Sequence, residues 1–483
     1  MNPSFVKAIS EMLGKSSKKT SHTTGAGTPL SADELLLRSK RSNPTQTDPT
    51  TGQQFRGASK STDSLVDFNY EQELRPSLMT PAKADFKSPF KKRLKIAVLH
   101  RNFDPTAGGA EHYAVALVEC LANQHEFHIF SQKSNHNWPF VNYHRVPQFF
   151  NRPRWLNQLF YATYCAWATR SGFDVVHSHE NTWHADVQTV HVLPLTHNLF
   201  AGKSVLQKTV QWLKVLFSPR LLTYVLLEKA RFKNKSGRWF VAVSANLNRL
   251  LEYSMGCESA ALITIAPGVY VGDTLNQGER AVKRMHARAS LGLPEFGACM
   301  LWVGHDAQKK GLDTAVKALS LLPSDCVLVI AGAAKPRDFW SKIATQGVQN
   351  RIIEKGVLGE QELQDLYAAC DLLIHPTRED TFGMVVLEAM ANALPVIVSG
   401  AQYCGISSEL TDAKTALILS DPEDPEELAG KVVLALQGHM KESLSTQGQS
   451  WAKTQDWKKM AELQNTVYTH IAYHLGEQAP AVK

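Results

Sequence analysis

With 483 residues, 43% of them hydrophobic and 20% charged, the chain can bury two or three separate cores and has the balance of a soluble globular protein. Its formal charge of +7 suits contact with anionic lipid, saccharide or nucleotide; without an aromatic-and-basic RNA-binding motif or paired Cys/His zinc spacing, nucleic acid is excluded as the expected partner. The 7 cysteines never form a C-x-x-C pair, Met1–Lys7 lacks a signal-peptide core, and no apolar run approaches the ~18 residues of a membrane span, so a cytosolic protein is expected.

Residues 1–92 are rich in Ser, Thr, Lys, Gly and Pro, as in Thr20–Pro29, and carry too few apolar groups to offset ordering entropy, which predicts a disordered extension. Phe5, Ile9, Met12 and Leu13 could form one short amphipathic turn, a tether as the alternative to a dispensable tail. Order is predicted to begin at the apolar strand Leu94–His100, behind Lys91-Lys92-Arg93. A glycine loop (Thr106–Gly109), a helix from Glu111 and a strand at Phe127–Phe130 complete a βαβ unit. Strands are predicted again at Phe173–His177 and Trp239–Val243.

Between them, 174–191 is dense in His, but His177, His179, His184 and His191 lack compact metal-ligand spacing and read mainly as structural. Residues 203–233 alternate apolar and basic groups at helical spacing, broken at Pro219. Such a surface, with Trp212, Leu213 and Phe217, can pack on the protein, lie on anionic lipid, or do both with opposite faces.

A turn at Pro267-Gly268 and the polar stretch Asp273–Gly278 mark the expected domain junction. A second series of strands follows at Met300–Val303, Val327–Ile330, Leu372–Ile374, Pro395–Val398 and Leu417–Leu419. Helical segments separate them at Asp313–Leu321, Glu360–Cys370, Val385–Asn392 and Pro425–Leu436. Alternating strands and helices mean parallel sheets covered on both faces. The expected fold class is therefore α/β: two Rossmann-like doubly wound domains, 93–270 and 271–450, facing across a cleft at the carboxyl ends of their strands, followed by a helical tail, 451–483.

Three motifs carry chemistry. In Trp302–Thr314 a strand ends, the loop carries Lys309 and Lys310, and Gly311 opens a helix; lysines there can face a diphosphate and stabilise the charge it gains on leaving. In Arg378–Met390, Asp380 and Glu388 lie eight apart, with Phe382-Gly383-Met384 between them at a helix start. Acidic residues near a helix start are ordinarily caps. This spacing also offers amides to a phosphate, Glu388 to a ribose, and Asp380 to a sugar beyond the phosphates. Gly108 and Gly109, after the first strand, let backbone approach a ligand, and no G-x-G-x-x-G follows that strand to suggest a dinucleotide dehydrogenase.

Together these motifs resemble the retaining glycosyltransferases of family 4, which have two Rossmann-like domains (the GT-B fold); the resemblance covers about residues 94–470 and is strongest over 301–405. The family's Glu-x7-Glu is here Asp380, or Glu379 if the loop slips by one, followed by Glu388. Its basic pair is Lys309-Lys310, and its Gly-Gly loop is Gly108-Gly109. The resemblance implies a nucleotide-sugar donor and transfer with retention. No Asp-x-Asp pair occurs, so no metal or other cofactor is expected, the lysines and helix start supplying the charge. Residues 174–194, 218–233 and Tyr403-Cys404-Gly405 resemble a narrower group, the enzymes that add glucose to lipopolysaccharide inner core. That implies a UDP-sugar donor, a saccharide or glycolipid acceptor, the inner face of the cytoplasmic membrane as a peripheral site, and a role for Asp186 in orienting or deprotonating the acceptor hydroxyl. A tail helix crossing back onto the first domain is implied as well. A nucleotide-sugar 2-epimerase and a binding subunit without turnover share the architecture and remain open.

Overall fold

The computed structural model describes residues 93–271, 275–332, 339 and 347–478; the extension at 1–92 and its amphipathic turn lie outside them. The strands of the first half, in chain order, are β1 (Lys95–Leu99), β2 (Asn102–Phe103), β3 (Glu126–Ser131), β4 (Lys133–Ser134), β5 (Val141–Arg145), β6 (Val175–Ser178), β7 (Val187–Val190), β8 (Trp239–Ala242) and β9 (Leu262–Thr264). Seven of them form one all-parallel sheet in the order β5-β3-β1-β6-β7-β8-β9, and β2 pairs with β4 separately. Continuous apolar runs suit this placement: Ile96–Leu99 is wholly buried because helices cover both faces.

The second half supplies β10 (Cys299–Val303), β11 (Val327–Ala331), β12 (Ile352–Gly356), β13 (Leu372–His375), β14 (Val396–Ser399) and β15 (Leu417–Leu419). They form a parallel sheet in the order β12-β11-β10-β13-β14-β15. Each sheet reverses its winding once: β1 has β3 on one side and β6 on the other, and β10 has β11 and β13. Ligands in such sheets bind outside the strand ends at that reversal. The glycine loop follows β1 and the Lys309–Gly311 loop follows β10, so both motifs stand at these two points.

The helices are α1 (Gly109–Leu121), α2 (Arg154–Ala168), α3 (Leu195–Phe200), α4 (Val205–Phe217), α5 (Pro219–Arg231), α6 (Ala245–Met255), α7 (Gln277–Leu291), α8 (Leu312–Ser320), α9 (Glu360–Ala369), α10 (Met384–Ala391), α11 (Pro425–Leu436), α12 (Gly438–Ala452) and α13 (Trp457–Gln478). The chain crosses between the sheets twice, and the crossings touch: Val269 N–H donates to Gln455 O at 2.8 Å, and a side chain on Gly268 would collide with Trp457. Beyond the second crossing, α13 packs on α1; its Tyr468 hydroxyl meets His177 Nδ1 at 2.6 Å and its Asn465 meets His125 Nε2 at 2.7 Å.

The polar stretch expected as the junction ends in a helix instead: Asn276 caps α7 and Glu279 returns the bond at 2.8 Å, a capping box. The amphipathic pair around Pro219 divides its labour. In α5, Thr223, Val225, Leu227, Glu228 and Arg231 are buried, whereas α4 buries only Val215 and leaves Val205, Leu206, Leu213, Leu216 and Phe217 in solvent, Phe217 at 81% exposure.

Candidate active site

Gly383 sets the geometry at the start of α10. Its φ is 104°, a region open to glycine, and a Cβ there would lie 2.8 Å from Cys404 Sγ. No side chain caps this helix, and although Val386 N donates to Gly383 O at 3.0 Å, the Met384 and Val385 amides have no protein acceptor among the described residues. Gly383→Ala is accordingly expected to displace the helix start, lowering folding stability and the free energy of nucleotide binding together by roughly 1–3 kcal/mol each. Calorimetric titration with UDP alongside a thermal melt measures both, and an unchanged UDP affinity would refute the placement.

The preceding loop is fixed at both ends. Asp380 N donates to Tyr403 O at 2.8 Å and Gly405 N to Asp380 O at 3.0 Å, so the segment runs as a short parallel bridge beside Cys404. Arg378 holds the other end, reaching both Asp313 oxygens at 2.9 and 2.8 Å and Glu423 at 2.7 Å. Gly311, left-handed at φ 65°, lets the lysine loop close onto this segment, since a side chain there would strike the Pro376 carbonyl.

The lysines and acids thus meet in pairs. Lys310 Nζ lies 2.5 Å from Asp380 Oδ2, and Lys309 Nζ 2.6 Å from Glu379 Oε1. His375, at the end of β13, places Nε2 3.1 Å from the same Asp380 oxygen. Burial alone would raise the Asp380 pKa; the hydrogen bond from His375 and the Lys310 ammonium overcome it and hold the carboxyl well below the usual range. His375 itself is pushed down, by burial, against the pull of Asp380. Asp380, not Glu379, is the acid seated in the cleft: Glu379 pairs with the more exposed lysine, whose side chain is 51% accessible. His375, Asp380 and Cys404 have their ligand atoms within 4.8 Å of one another, a composition that could hold a metal, but Lys310 already supplies a cation to Asp380 at 2.5 Å.

Glu388, two turns into α10, accepts from Tyr367 Oη at 2.8 Å. Burial pushes its carboxyl up to about 7, with the Tyr367 bond opposing and Glu360 adding to the rise. A ribose held by this group is held by the ionised form, which accepts from both hydroxyls. UDP affinity is therefore expected to rise severalfold between pH 6 and pH 8, the window set by a pKa of about 7, and Glu388→Gln should flatten that profile.

The first sheet meets this site directly. Gly109 faces Met384, where a Cβ would sit 3.1 Å from Met384 Cγ; Thr381 Oγ1 donates to His191 O at 2.5 Å, and Asn246 Nδ2 donates to Ala401 O. The structure thus brings Lys309 to Glu379, Lys310 to Asp380 and Gly109, beside Gly108, to Met384 at the Gly383 helix start, with Glu388 two turns further on and Phe382 buried in the core beneath.

Asp186 does not join them, and the role expected for it is corrected. It precedes β7, at the amino edge of the first sheet, and its carboxylate accepts from Val176 N at 2.8 Å. His191, which touches the cleft, stands five residues further along the strand, about 16 Å away at ~3.3 Å per residue. Burial raises the Asp186 pKa, and Arg238 and Lys235 are its cationic neighbours, so it is a latch between strand ends.

Sequence reasoning did not single out His375, Thr381 or Tyr367, all of which touch the acidic motif through the tertiary fold. Three of the histidines of 174–191, His177, His179 and His191, gather in one cluster, with His177 and His179 buried. His177 Nε2 bonds Thr189 Oγ1 at 2.7 Å, His179 Nδ1 bonds His191 Nε2 at 2.9 Å, and His100 and Tyr113 pack against His179. His184 stands apart, 2.9 Å from Thr169 Oγ1.

Comparison with known proteins agrees with this geometry. Residues 107–272 match the family described as Glycosyltransferase Family 4, and residues 284–451 match Glycosyl transferases group 1. The lipopolysaccharide glucosyltransferase WaaG of Escherichia coli strain K12 is 28% identical over 203 residues, 41% of this chain and 53% of that protein. A D-inositol 3-phosphate glycosyltransferase of Acidothermus cellulolyticus is 30% identical over 190 residues, 37% of this chain and 41% of that protein. The aligned stretches thus span about half, or less, of these relatives. Among solved structures, WaaG superposes with a TM-score of 0.66 at 22% identity, covering 77% of this chain and 99% of its own, which shows the shared two-domain fold. Anabaena HepE in complex with UDP and glucose reaches 0.57 at 18% identity, covering 80% and 100%. With both halves matched and the GT-B architecture formed, the chain belongs to glycosyltransferase family 4.

Proposed function

We propose that the protein is a retaining, metal-independent hexosyltransferase that moves a hexose, in the first instance glucose, from a UDP-sugar to a saccharide or glycolipid such as lipopolysaccharide core. The observation that supports this best is the convergence of Lys309 and Lys310, the uncapped start of α10 and Glu388 on a cleft closed from the other side by Gly108 and Gly109. A nucleoside diphosphate fits that set: ribose on Glu388, phosphates between the α10 amides and the lysines, and the hexose towards Asp380. The UDP and glucose in HepE and the glucosyltransferase name of WaaG give UDP-glucose priority.

In the reaction, the bond from the sugar C1 to the diphosphate oxygen breaks and the bonding pair stays on that oxygen. The acceptor oxygen attacks C1 from the face the diphosphate is leaving, and the departing phosphate takes the acceptor proton. Lys309 and Lys310 stabilise the charge the diphosphate gains. Asp380, kept ionised by Lys310 and His375, orients sugar hydroxyls.

The test is turnover with UDP- and GDP-hexoses in EDTA, with and without core saccharide. Nucleotide release that requires one donor and the acceptor is expected. Donor epimerised without acceptor would replace this reading with the epimerase, binding without product would make the chain a nucleotide-sugar-binding subunit, and loss of turnover in EDTA would end metal independence.

The apolar, unburied face of α4, with Lys203, Lys208 and Lys214 along the segment, supports attachment to an anionic membrane surface from the cytoplasmic side. No helix among the described residues is long and apolar enough to cross a membrane. The double variant Trp212→Ser, Phe217→Ser is expected to lower partitioning onto vesicles containing phosphatidylglycerol at least tenfold, as read by sedimentation.

A further inference from the structure

Behind the second sheet, away from the lysine loop, lies a cavity of about 480 Å³ between α7 and α12. Its size is that of a small-molecule pocket. Arg280, Lys283, Arg284 and Lys441 stand on its walls, against only Asp371 and Glu442. Asp371 is already saturated. Its Oδ1 takes Arg284 at 2.7 Å and Lys441 at 2.6 Å, and its Oδ2 takes Arg288 at 2.5 Å and the Cys299 amide at 2.8 Å. Glu442 takes Arg280 at 2.6 Å. Counting Arg288, four cations share the two carboxylates, and Lys283 has no carboxylate partner among the described residues. The rest of the wall is largely apolar, with Leu275, Leu394 and Pro395, and its polar groups are the Ser445 hydroxyl and the side-chain oxygens of Asn392 and Gln449, whose amide nitrogens already donate to Gln364, Glu388 O and Ala391 O. A basic excess beside a few oxygen acceptors that can take sugar hydroxyls, within one small cavity, suits a phosphate monoester carried on a polyol.

The cavity also adjoins the machinery of the cleft. Tyr367 lines it and donates to Glu388 Oε2 at 2.8 Å; Asn392 lines it and donates to Glu388 O at 2.9 Å. In addition, α7 follows the first crossing between the sheets and α12 precedes the second.

We propose that this cavity is a second ligand site, for a phosphorylated sugar, and that its occupancy changes nucleotide affinity through Tyr367 and Asn392. The coupling half of the proposal rests on the reading of Glu388 as the ribose group; the binding half stands without it. A ligand can alter the other site only by as much as it favours one arrangement of these shared residues, and the effect is reciprocal.

Calorimetric titration of the full chain with fructose 6-phosphate, alone and under saturating UDP, tests both halves. One-site binding is expected in either case, at least tenfold weaker in the variant Lys283→Gln, Lys441→Gln, with UDP affinity shifted threefold or more when the sugar phosphate is present. Lys283→Gln alone, at an exposed side chain, should weaken binding without moving the melting temperature, which separates lost contact from lost fold. Absent binding, binding unchanged in both variants, or binding abolished by UDP would overturn the site. Inorganic phosphate binding as tightly as fructose 6-phosphate would overturn the sugar component. UDP that binds but never responds would overturn the coupling, and UDP that fails to bind even alone would instead strike the reading of the cleft.

Discussion

Lys310→Ala is expected to lower kcat with the preferred donor by a factor of roughly 100 to 1,000, because a preorganised charge facing a leaving group contributes about 3–4 kcal/mol. The side chain is well placed for that. Its Nζ is held 2.5 Å from Asp380 Oδ2 and 3.3 Å from Glu379 O, and its backbone carbonyl accepts from Trp302 Nε1 at 2.9 Å, so little reorganisation precedes the reaction. A second loss follows in the same variant. Asp380 keeps its depressed pKa against burial only through His375 and Lys310, so without the lysine its carboxyl climbs towards the ordinary range. The pair is partly accessible, 22% and 17% at the side chains, which makes the stability cost smaller than for a fully buried pair. Lys309→Ala should cost nearer tenfold, since its ammonium is half in solvent. Lys310→Arg should recover part of the rate by keeping the charge while misplacing it. Single-turnover rates at saturating donor, with melting temperatures beside them, make the comparison. Lys310→Ala within threefold of the wild type would remove the proposed role.

The parts of this molecule that could be read in the sequence are those whose cause is local. Val327–Ala331 and Val396–Ser399 announce themselves because a strand covered on both faces must be apolar throughout. The edge strand β5, Val-Asn-Tyr-His-Arg, has a solvent side and no such run, and β9 is three residues long; neither offers a pattern to find. The α7 start was present in the sequence as Asn276 with Glu279 three residues on, and was masked by its polar composition. The site divides in the same way. Lys310, Gly383 and Glu388 are legible because their spacing along one loop or helix fixes their direction. His375 and Tyr367 reach the acidic motif from separate elements, which no local spacing records. Asp186 shows the converse error: a carboxylate in a promising segment faces the wrong end of the sheet because β7 begins after it, and one strand length decides the matter.

The buried histidines should make the protein acid-labile. Burial pushes the pKa of His177 down to about 3, with His100 and Arg231 adding to the effect, and holds His179 and His191 well below the ordinary value for the same reasons. The groups facing them are His100, Arg231, Tyr113, Thr189 and Tyr468, and none is a carboxylate that would welcome a proton. In the unfolded chain each imidazole takes its proton near 6.5. Below that pH the unfolded state binds protons the native state refuses, so stability is complete above ~6.5 and falls as the pH drops towards about 3. Each such group contributes at most about 1.4 kcal/mol per pH unit below its unfolded value. Glu388 opposes them: raised to about 7, it is protonated in the native state and ionised in the unfolded state between ~4.5 and 7, so it removes one proton from the difference. Among these groups the histidines outnumber Glu388, so their balance is a loss of stability on acidification, against a total of only ~5–15 kcal/mol that holds a domain folded. Urea midpoints at pH 7.5, 6 and 5 should fall steeply, and His179→Phe should flatten the fall by about one proton. Midpoints that stay level from pH 7 to pH 5 would mean the imidazoles find room, or water, to charge in the folded state.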